Sequence, residues 1–333
     1  MNSSLLEVRN LKKYHPIRAG IFQKKIGYVH AVDDISFAIR TGETLGLVGE
    51  SGCGKTTAGR TILVLEKPTA GSIHFMDQDL SRLKRRQLRE IRKHVQMIFQ
   101  DPYESLDPRQ TVGEILEEPF IIHNIGSSED RRKSIRDLLD RVGMPDSAMS
   151  RFPFEFSGGQ RQRIGIARAI ALRPSLIVCD EAVSALDVSI QSQILNLLLD
   201  LQEEMGLSYL FIAHNLAVVK HISDRIAVMY SGKIVEMADA ERLYQNPLHP
   251  YTRVLIAAIP VPDPDAPRKQ RAIAGETPSA ITPPAGCRFH PRCPYAIDIC
   301  HVEPPELKPL TPGFEDDHVV ACHRAAEIER EFR

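Results

Sequence analysis

"GESGCGKTT", Gly49–Thr57, is the stretch on which the fold turns. It fits G-x-x-x-x-G-K-[ST] and lies between an apolar run, "TLGLVG" (44–49), and a helical pattern, "TTAGRTILVL" (56–65). That strand–loop–helix context makes the motif specific. Its glycines let the backbone curl so that successive amides face phosphate oxygens, and the following helix adds the positive end of its dipole. Gly49, Glu50, Ser51, Gly52, Cys53, Gly54, Lys55, Thr56 and Thr57 are therefore expected to cradle nucleotide phosphates. Lys55 would reach the β- and γ-phosphates, and the Thr56 hydroxyl would coordinate Mg²⁺. Cys53 reads as a small loop residue rather than a nucleophile. An exposed thiol at this place, beside Lys55 and a helix start, is expected to have a lowered pKa.

Outward from the loop, the first 255 residues alternate short apolar runs with helical patterns. "SLIVCD" (175–180) and "SYLFIAH" (208–214) read as strands, and "ILNLLLDLQEEM" (194–205) reads as a helix. The alternation predicts an α/β fold, a mostly parallel sheet flanked by helices, with ligands at the strand carboxyl ends. "SLIVCDE" puts Asp180 and Glu181 at such an end, where Asp180 can hold Mg²⁺ and Glu181 can act as general base. From 261 to 286, "VPDPDAPRKQRAIAGETPSAITPPAG" is Pro-rich and aperiodic and reads as a linker.

Forty-two Lys and Arg against 43 Asp and Glu give a net charge of −1, so nothing global points to nucleic acid or anionic lipid. The basic run "SRLKRRQLREIRKH" (81–94) reads as a solvated helix face. "MNSSLLEVRN" lacks a basic region followed by an apolar run, and no apolar stretch approaches the roughly 18 residues of a spanning helix. A soluble cytoplasmic chain is expected, in which clustered cysteines favour a metal site over disulfides.

"FSGGQRQR" (156–163) narrows the reading. Ser157 offers a hydroxyl, Gly158 and Gly159 expose amides, and the helix starting there aims its positive end outward, which makes a second anion site. Together with Gly49–Thr57, "FQDP" around Gln100, "SALD" (184–187) and His214, this segment resembles the ATP-binding-cassette (ABC) family over essentially the whole chain. The resemblance implies a P-loop ATPase domain over 1–255 with an antiparallel β subdomain and a helical insertion at about 101–165. It also implies that Ser157, Gly158, Gly159 and Gln160 contact the γ-phosphate held by an opposite subunit, so that each complete site needs two chains. By the same resemblance Tyr14 would stack on adenine (with Tyr28 a second aromatic nearby). Gln100 would touch Mg²⁺ or the water, Asp187 would cross the dimer interface, and His214 would contact the γ-phosphate. Phe156, Ala182 and Asn215 stand where Leu, Pro and Asp are usual in the family. None removes a phosphate, metal or water contact, though Ala182 could loosen the loop after Glu181.

"NPLHPYTRVLIAAIPVPDP" (246–264) resembles the C-terminal extension of oligopeptide- and dipeptide-importer ATPases, and "PIRAGIFQKKIGYVH" (16–30) resembles an insert of the second of their two paired ATPases. The family implies an unlike partner ATPase, two permeases, an extracytoplasmic solute-binding protein and a place on the cytoplasmic face of the membrane. Related solutes are nickel chelates, glutathione and opines. ABC ATPases that do no transport are the competing class, and they usually carry two cassettes or a long coiled-coil insertion.

The tail, 256–333, collects Cys287, Cys293, Cys300 and Cys322 in the spacing C-x5-C-x6-C-x21-C. Four thiolates can close a Zn²⁺ site or hold a [4Fe–4S] cluster, and these intervals are wider than those of common zinc modules. His290, His301 and His323 could enter a mixed set. Relatives among the peptide-importer ATPases carry an iron–sulfur cluster here, so the resemblance implies a small metal-binding extension. So short and Pro-rich a segment buries little apolar surface, and a metal would fold it.

Overall fold

The structure, a computed structural model, describes residues 4–259, 278–310 and 318–330. Most of the Pro-rich linker, 261–277, lies outside the described residues, as does the end of the 246–264 stretch. Residues 278–286 contain no helix or strand.

In chain order the strands are β1 (Ser4–Ala19), β2 (Lys24–Arg40), β3 (Thr44–Val48), β4 (Ala70–Phe75), β5 (Gln78–Asp79), β6 (Val95–Ile98), β7 (Leu176–Asp180), β8 (Ser208–Ala213), β9 (Arg225–Tyr230), β10 (Lys233–Asp239), β11 (Lys308–Pro309) and β12 (Val319–Val320). The helices are α1 (Lys55–Ile62), α2 (Arg85–Ile91), α3 (Pro102–Ser105), α4 (Val112–Ile122), α5 (Ser128–Arg141), α6 (Gly158–Ile170), α7 (Val188–Met205), α8 (Leu216–Ile222), α9 (Ala240–Gln245), α10 (Pro250–Ala257), α11 (Asp298–Val302) and α12 (Ala325–Arg330). They fall into two compact units.

The first unit runs mainly from Leu83 to Ile212. Its β6, β7 and β8 pair in parallel, with Ile98 opposite Cys179 and Cys179 opposite Phe211. Every residue of β7 and β8 is buried, as parallel strands covered on both faces require. Capping boxes start its helices: Thr111 with Glu114 for α4, Ser127 with Asp130 for α5, and Ser157 with Gln160 for α6. Each satisfies two otherwise orphaned amides. α7 stops at Gly206, whose φ of 66° is the left-handed conformation that glycine adopts without a Cβ penalty. The expected helical insertion is present as α3 to α6, and the basic run forms α2 with no buried residue, a solvated face as anticipated.

The second unit comprises residues 4–39 and 44–82 with the chain from 213 onward. One antiparallel sheet has the order β2-β1-β4-β5, the antiparallel subdomain that the resemblance implied. Here too is the parallel pair β3–β9, extended by antiparallel β10, β12 and β11. β3, "TLGLV", is buried throughout and delivers the chain to Gly49 at its carboxyl end. β9 returns into β10 through Ser231 and Gly232, both at positive φ (45° and 84°), the geometry of a tight hairpin turn. Among the described residues no helix is long and apolar enough to cross a membrane.

Candidate nucleotide-binding and hydrolysis site

In the second unit, residues 49–54 curl from β3 into α1. Gly54 has φ 110°, and a Cβ there would lie 2.0 Å from the Ala31 carbonyl oxygen. At Gly49 a Cβ would come within 2.1 Å of the Met229 carbonyl oxygen. Only glycine fits at either place. Lys55 is buried, and its Nζ donates to the carbonyls of Gly49 (2.9 Å) and Glu50 (3.0 Å), which holds the ammonium within the curl. The Gly232 N–H fastens the far side of the loop to the Cys53 carbonyl at 2.8 Å.

Cys53 departs from expectation. Its side chain is only 2% exposed, and burial pushes the thiol pKa up although Lys55 works the other way. Desolvation of a thiolate outweighs one nearby ammonium, itself shared between two carbonyls.

Glu50 is fastened most tightly. Its N–H donates to Tyr251 Oη at 2.8 Å, and its carboxylate receives two N–H···O bonds from Arg292, at 2.9 and 3.1 Å. Tyr14 sits on β1, its ring 4.3 Å from that of His30 and 6.2 Å from that of Tyr28, and its hydroxyl donates to Asp33. Burial, then that hydrogen bond, pushes the phenol up to about 12, so it stays protonated and neutral. His214 is exposed just past β8. Asn215, where the family more often has Asp, caps α8 by accepting from the Ala217 N–H at 2.9 Å, which Asn does as well as Asp.

In the first unit, the β6–β7 register sets Gln100 and Glu181 each two residues beyond the paired Ile98 and Cys179, and Gln100 Nε2 donates to Glu181 Oε2 at 3.1 Å. Asp180 is buried at the end of β7. Glu181 has φ 48°, a left-handed conformation costing a non-glycine residue about 1–3 kcal/mol. Its surroundings hold it there: its N–H donates to the Ile212 carbonyl at 2.9 Å, and its carbonyl accepts from the Ser184 N–H (3.1 Å) and Oγ (3.0 Å). Ala182 is buried beside it, so packing and hydrogen bonds take the place of a stiffening proline.

At α6, Ser157 Oγ accepts from the Gln160 N–H (3.4 Å) and Gln160 Oε1 accepts from the Ser157 N–H (3.0 Å). The Ser157 O–H is left to donate. Gly158 and Gly159 occupy the first turn, and a Cβ on Gly159 would lie 2.6 Å from Ile190 Cγ2. Phe156 is buried, the apolar anchor expected of it, and Asp187 is exposed at the start of α7.

Residues 32–184 match the family model described as ABC transporter, and residues 235–300 match that of the oligopeptide/dipeptide transporter C-terminal region. An oligopeptide transport ATP-binding protein, AppF, of Bacillus subtilis is 54% identical over 96% of this chain and 97% of its own. A di/tripeptide transport ATP-binding protein, DppF, of Pseudomonas aeruginosa is 46% identical over 98% and 99%. Among solved structures, the dimeric post-hydrolysis state of the ATP-binding cassette MJ0796 bound to ADP and Pi superposes with a TM-score of 0.63 at 29% identity, covering 71% of this chain and 98% of that one. The chain belongs to the ABC transporter ATP-binding proteins of the oligopeptide/dipeptide group. As an ABC ATPase it binds ATP with Mg²⁺ and hydrolyses it, and it works with membrane permeases.

In this ABC ATPase the cysteine tail folds around short turns. The Cys287 N–H donates to the Cys300 carbonyl at 2.9 Å, and the His290 and His301 rings lie tilted to each other with centroids 4.4 Å apart. All four thiols are free, and Cys322 packs against the cluster of Leu248, Val320 and Ala325. Burial above all, with charge on Cys287 and Cys300 acting the same way, pushes Cys293 up to about 11 and Cys322 up to about 12. Yet among the described residues no three His, Cys, Asp or Glu side chains converge where one metal ion could sit. The expected metal-binding extension is therefore an arrangement of neighbouring thiols, not a formed ion site.

Several residues around the phosphate loop carried no sequence signal. Tyr251, Tyr230 and Phe289 form an aromatic cluster with centroids 4.6–5.5 Å apart, and Tyr251 is the one that meets Glu50. His249 caps α10 by accepting from the Tyr251 N–H at 3.1 Å. Burial lowers its pKa to about 4, so it is neutral.

Proposed function

We propose that this chain hydrolyses ATP on the cytoplasmic face of a membrane to power import of di- and oligopeptides through two permeases, beside an unlike ATPase and with an extracytoplasmic solute-binding protein. The observation that carries the reading is the pairing, in one chain, of the Gly49–Thr57 loop with a C-terminal region matching the oligopeptide/dipeptide transporter model. Residues 1–255 are the ATPase domain, with 101–165 meeting the permease, and 256–333 are the extension.

Amides of Gly49–Thr57 and the Lys55 ammonium take the phosphates, and Tyr14 takes the adenine. Thr56, Gln100 and Asp180 would hold Mg²⁺, which supplies neutralisation of developing phosphate charge. Glu181, aimed by its strained backbone and by Gln100, orients a water and accepts its proton. The water oxygen bonds to the γ-phosphorus as the bond to the β-bridging oxygen breaks, leaving ADP. Ser157, Gly158, Gly159 and Gln160 of the opposite chain complete the γ-phosphate shell, Asp187 lines that interface, and His214 contacts the γ-phosphate.

Cys287, Cys293, Cys300 and Cys322 would hold a [4Fe–4S] cluster, which supplies a covalent staple for a segment with little core of its own. The donor set fits it: Cys300 is buried, the other three thiols are half-buried, and charge on Cys287, Cys293 or Cys300 disfavours ionisation of Cys322. Anaerobic purification with iron and sulfide analysis tests the cluster; a colourless protein with stoichiometric zinc overturns it. For the transport reading, the chain is co-reconstituted with its neighbouring permeases. Peptide-dependent uptake that needs ATP is expected. ATP-driven uptake of nickel chelate, glutathione or opine but not peptide refutes it.

A further inference from the structure

Two arginines that flank Phe289 reach out of the cysteine segment and into the nucleotide half-site. Both side chains are 7% exposed. Arg292 grips the Glu50 carboxylate with both terminal nitrogens, at 2.9 and 3.1 Å, and its Nη1 meets Tyr230 Oη at 3.3 Å. Glu50 is the second residue of the phosphate loop. Its amide is held by Tyr251, and its carbonyl accepts from Lys55. One loop residue is thus tied by its side chain, its N–H and its C=O. A planar bidentate fork fixes orientation as well as distance.

Arg288 bonds to the Asp33 carboxylate and to the Ser231 carbonyl. Asp33 accepts from the Tyr14 hydroxyl, and its N–H donates to the Gly232 carbonyl at 2.8 Å. The Gly232 N–H in turn donates to Cys53 in the loop. Between the two arginines Phe289, 1% exposed, lies 5.2 Å edge-on to Tyr230 and 5.5 Å from Tyr251, so apolar packing shields both ion pairs from water. Cys287 and Cys293 bracket the whole "RFHPR" stretch.

We propose that Arg292 and Arg288 are positioning residues of the nucleotide site, Arg292 holding the phosphate loop through Glu50 and Arg288 holding the adenine platform through Asp33 and Tyr14. ATP affinity then depends on the folded state of the cysteine-bracketed segment, and by linkage bound ATP stabilises that segment. The inference rests on the proposed ATP contacts of Gly49–Thr57 and Tyr14.

The test measures affinity for a fluorescent methylanthraniloyl-ATP, with melting temperature as the check on folding. Arg292→Met is expected to weaken binding about tenfold, the scale of a charge-assisted pair. It should raise KM by a similar factor while kcat falls less than twofold. Arg292→Lys should recover part of the loss. Glu50→Gln reads the same contact from the loop side and stands in if Arg292→Met does not fold. The double variant should bind no more weakly than the worse single. Folded Arg292→Met or Glu50→Gln with affinity within twofold of the parent overturns the proposal, as does a double variant whose losses simply add. Lys55→Ala separates the two readings. If it also binds like the parent, the ATP-site assignment itself is wrong; if it alone loses binding, the positioning role is.

Discussion

Gly158 and Gly159 are neighbours at the start of α6, and the structure predicts opposite consequences for placing alanine at each. A Cβ on Gly158 would lie 3.6 Å from Leu186 Cδ2, an ordinary contact, whereas on Gly159 it would lie 2.6 Å from Ile190 Cγ2. Carbon atoms settle at about 3.5–4.0 Å, so the second overlaps by roughly 1 Å. The Ile190 methyl sits on a β-branched carbon whose χ1 is stiff, and it cannot swing aside freely. Overpacking costs about 1–3 kcal/mol, against which replacing helical glycine by alanine returns about 0.5–1. Gly159→Ala is therefore expected to lose about 1 kcal/mol, the difference of the two midpoints, and a few degrees of melting temperature, and Gly158→Ala to lose none. Ile190→Ala removes the offending methyl from a half-exposed position, so Gly159→Ala/Ile190→Ala should melt above Gly159→Ala alone. Function should divide differently. Gly158 is proposed to present its amide to the γ-phosphate of the opposite chain, so Gly158→Ala should stay folded yet lose ATPase activity about tenfold or more in the assembled transporter. Thermal denaturation and ATPase assays on the four variants decide. A Gly159→Ala protein as stable as its parent, or one not relieved by Ile190→Ala, refutes the steric reasoning.

Glu181→Gln keeps the Gln100 contact possible but cannot accept a proton, so turnover should fall about 10²-fold or more while ATP stays bound and chains stay associated on gel filtration. Full turnover would remove Glu181 from its role. Peptide-resolved alkylation at pH 7.5 should modify the buried Cys53 far more slowly than a free model thiol; labelling at the model rate would contradict its burial. His249, whose backbone N–H donates to the Glu236 carboxylate that also hydrogen-bonds His318 Nε2, has its folded pKa depressed by burial to about 4 from an unfolded value of about 6.5. The unfolded chain binds the proton more readily. The contribution is complete above pH 6.5 and is lost as pH falls from 6.5 toward 4, a change of about 3 kcal/mol. His249→Asn should flatten that limb of the stability–pH curve, and an unchanged limb would count against it.

How much was legible beforehand follows from the range over which each signal acts. The phosphate loop, the Ser157 capping box and the strands ending at Val48, Asp180 and Ala213 depend on residues a few positions apart, and their patterns are local. Where burial decides, the sequence misled: Cys53 stands beside a lysine and a helix start, yet the strand and hairpin packed over it desolvate the thiol and reverse the expected shift. Asn215 and Ala182 looked like departures from a pattern. The first turns out to cap a helix equally well, and the second sits in a turn held by Ser184 and Ile212. The metal expectation rested on the spacing of four cysteines and on resemblance to the peptide-importer ATPases, and neither says whether the thiols converge in space.

The sequence alone determined the short glycine-rich curl of residues 49–54 followed at once by a helix, the backbone form that phosphate recognition needs. Only the tertiary structure decided what holds that curl in place. Glu50 meets Arg292 across 242 residues and Asp33 meets Arg288 across 255. No local pattern encodes either pairing: each exists because β3, β9 and the cysteine segment fold against one another and exclude the water that would otherwise screen the charges.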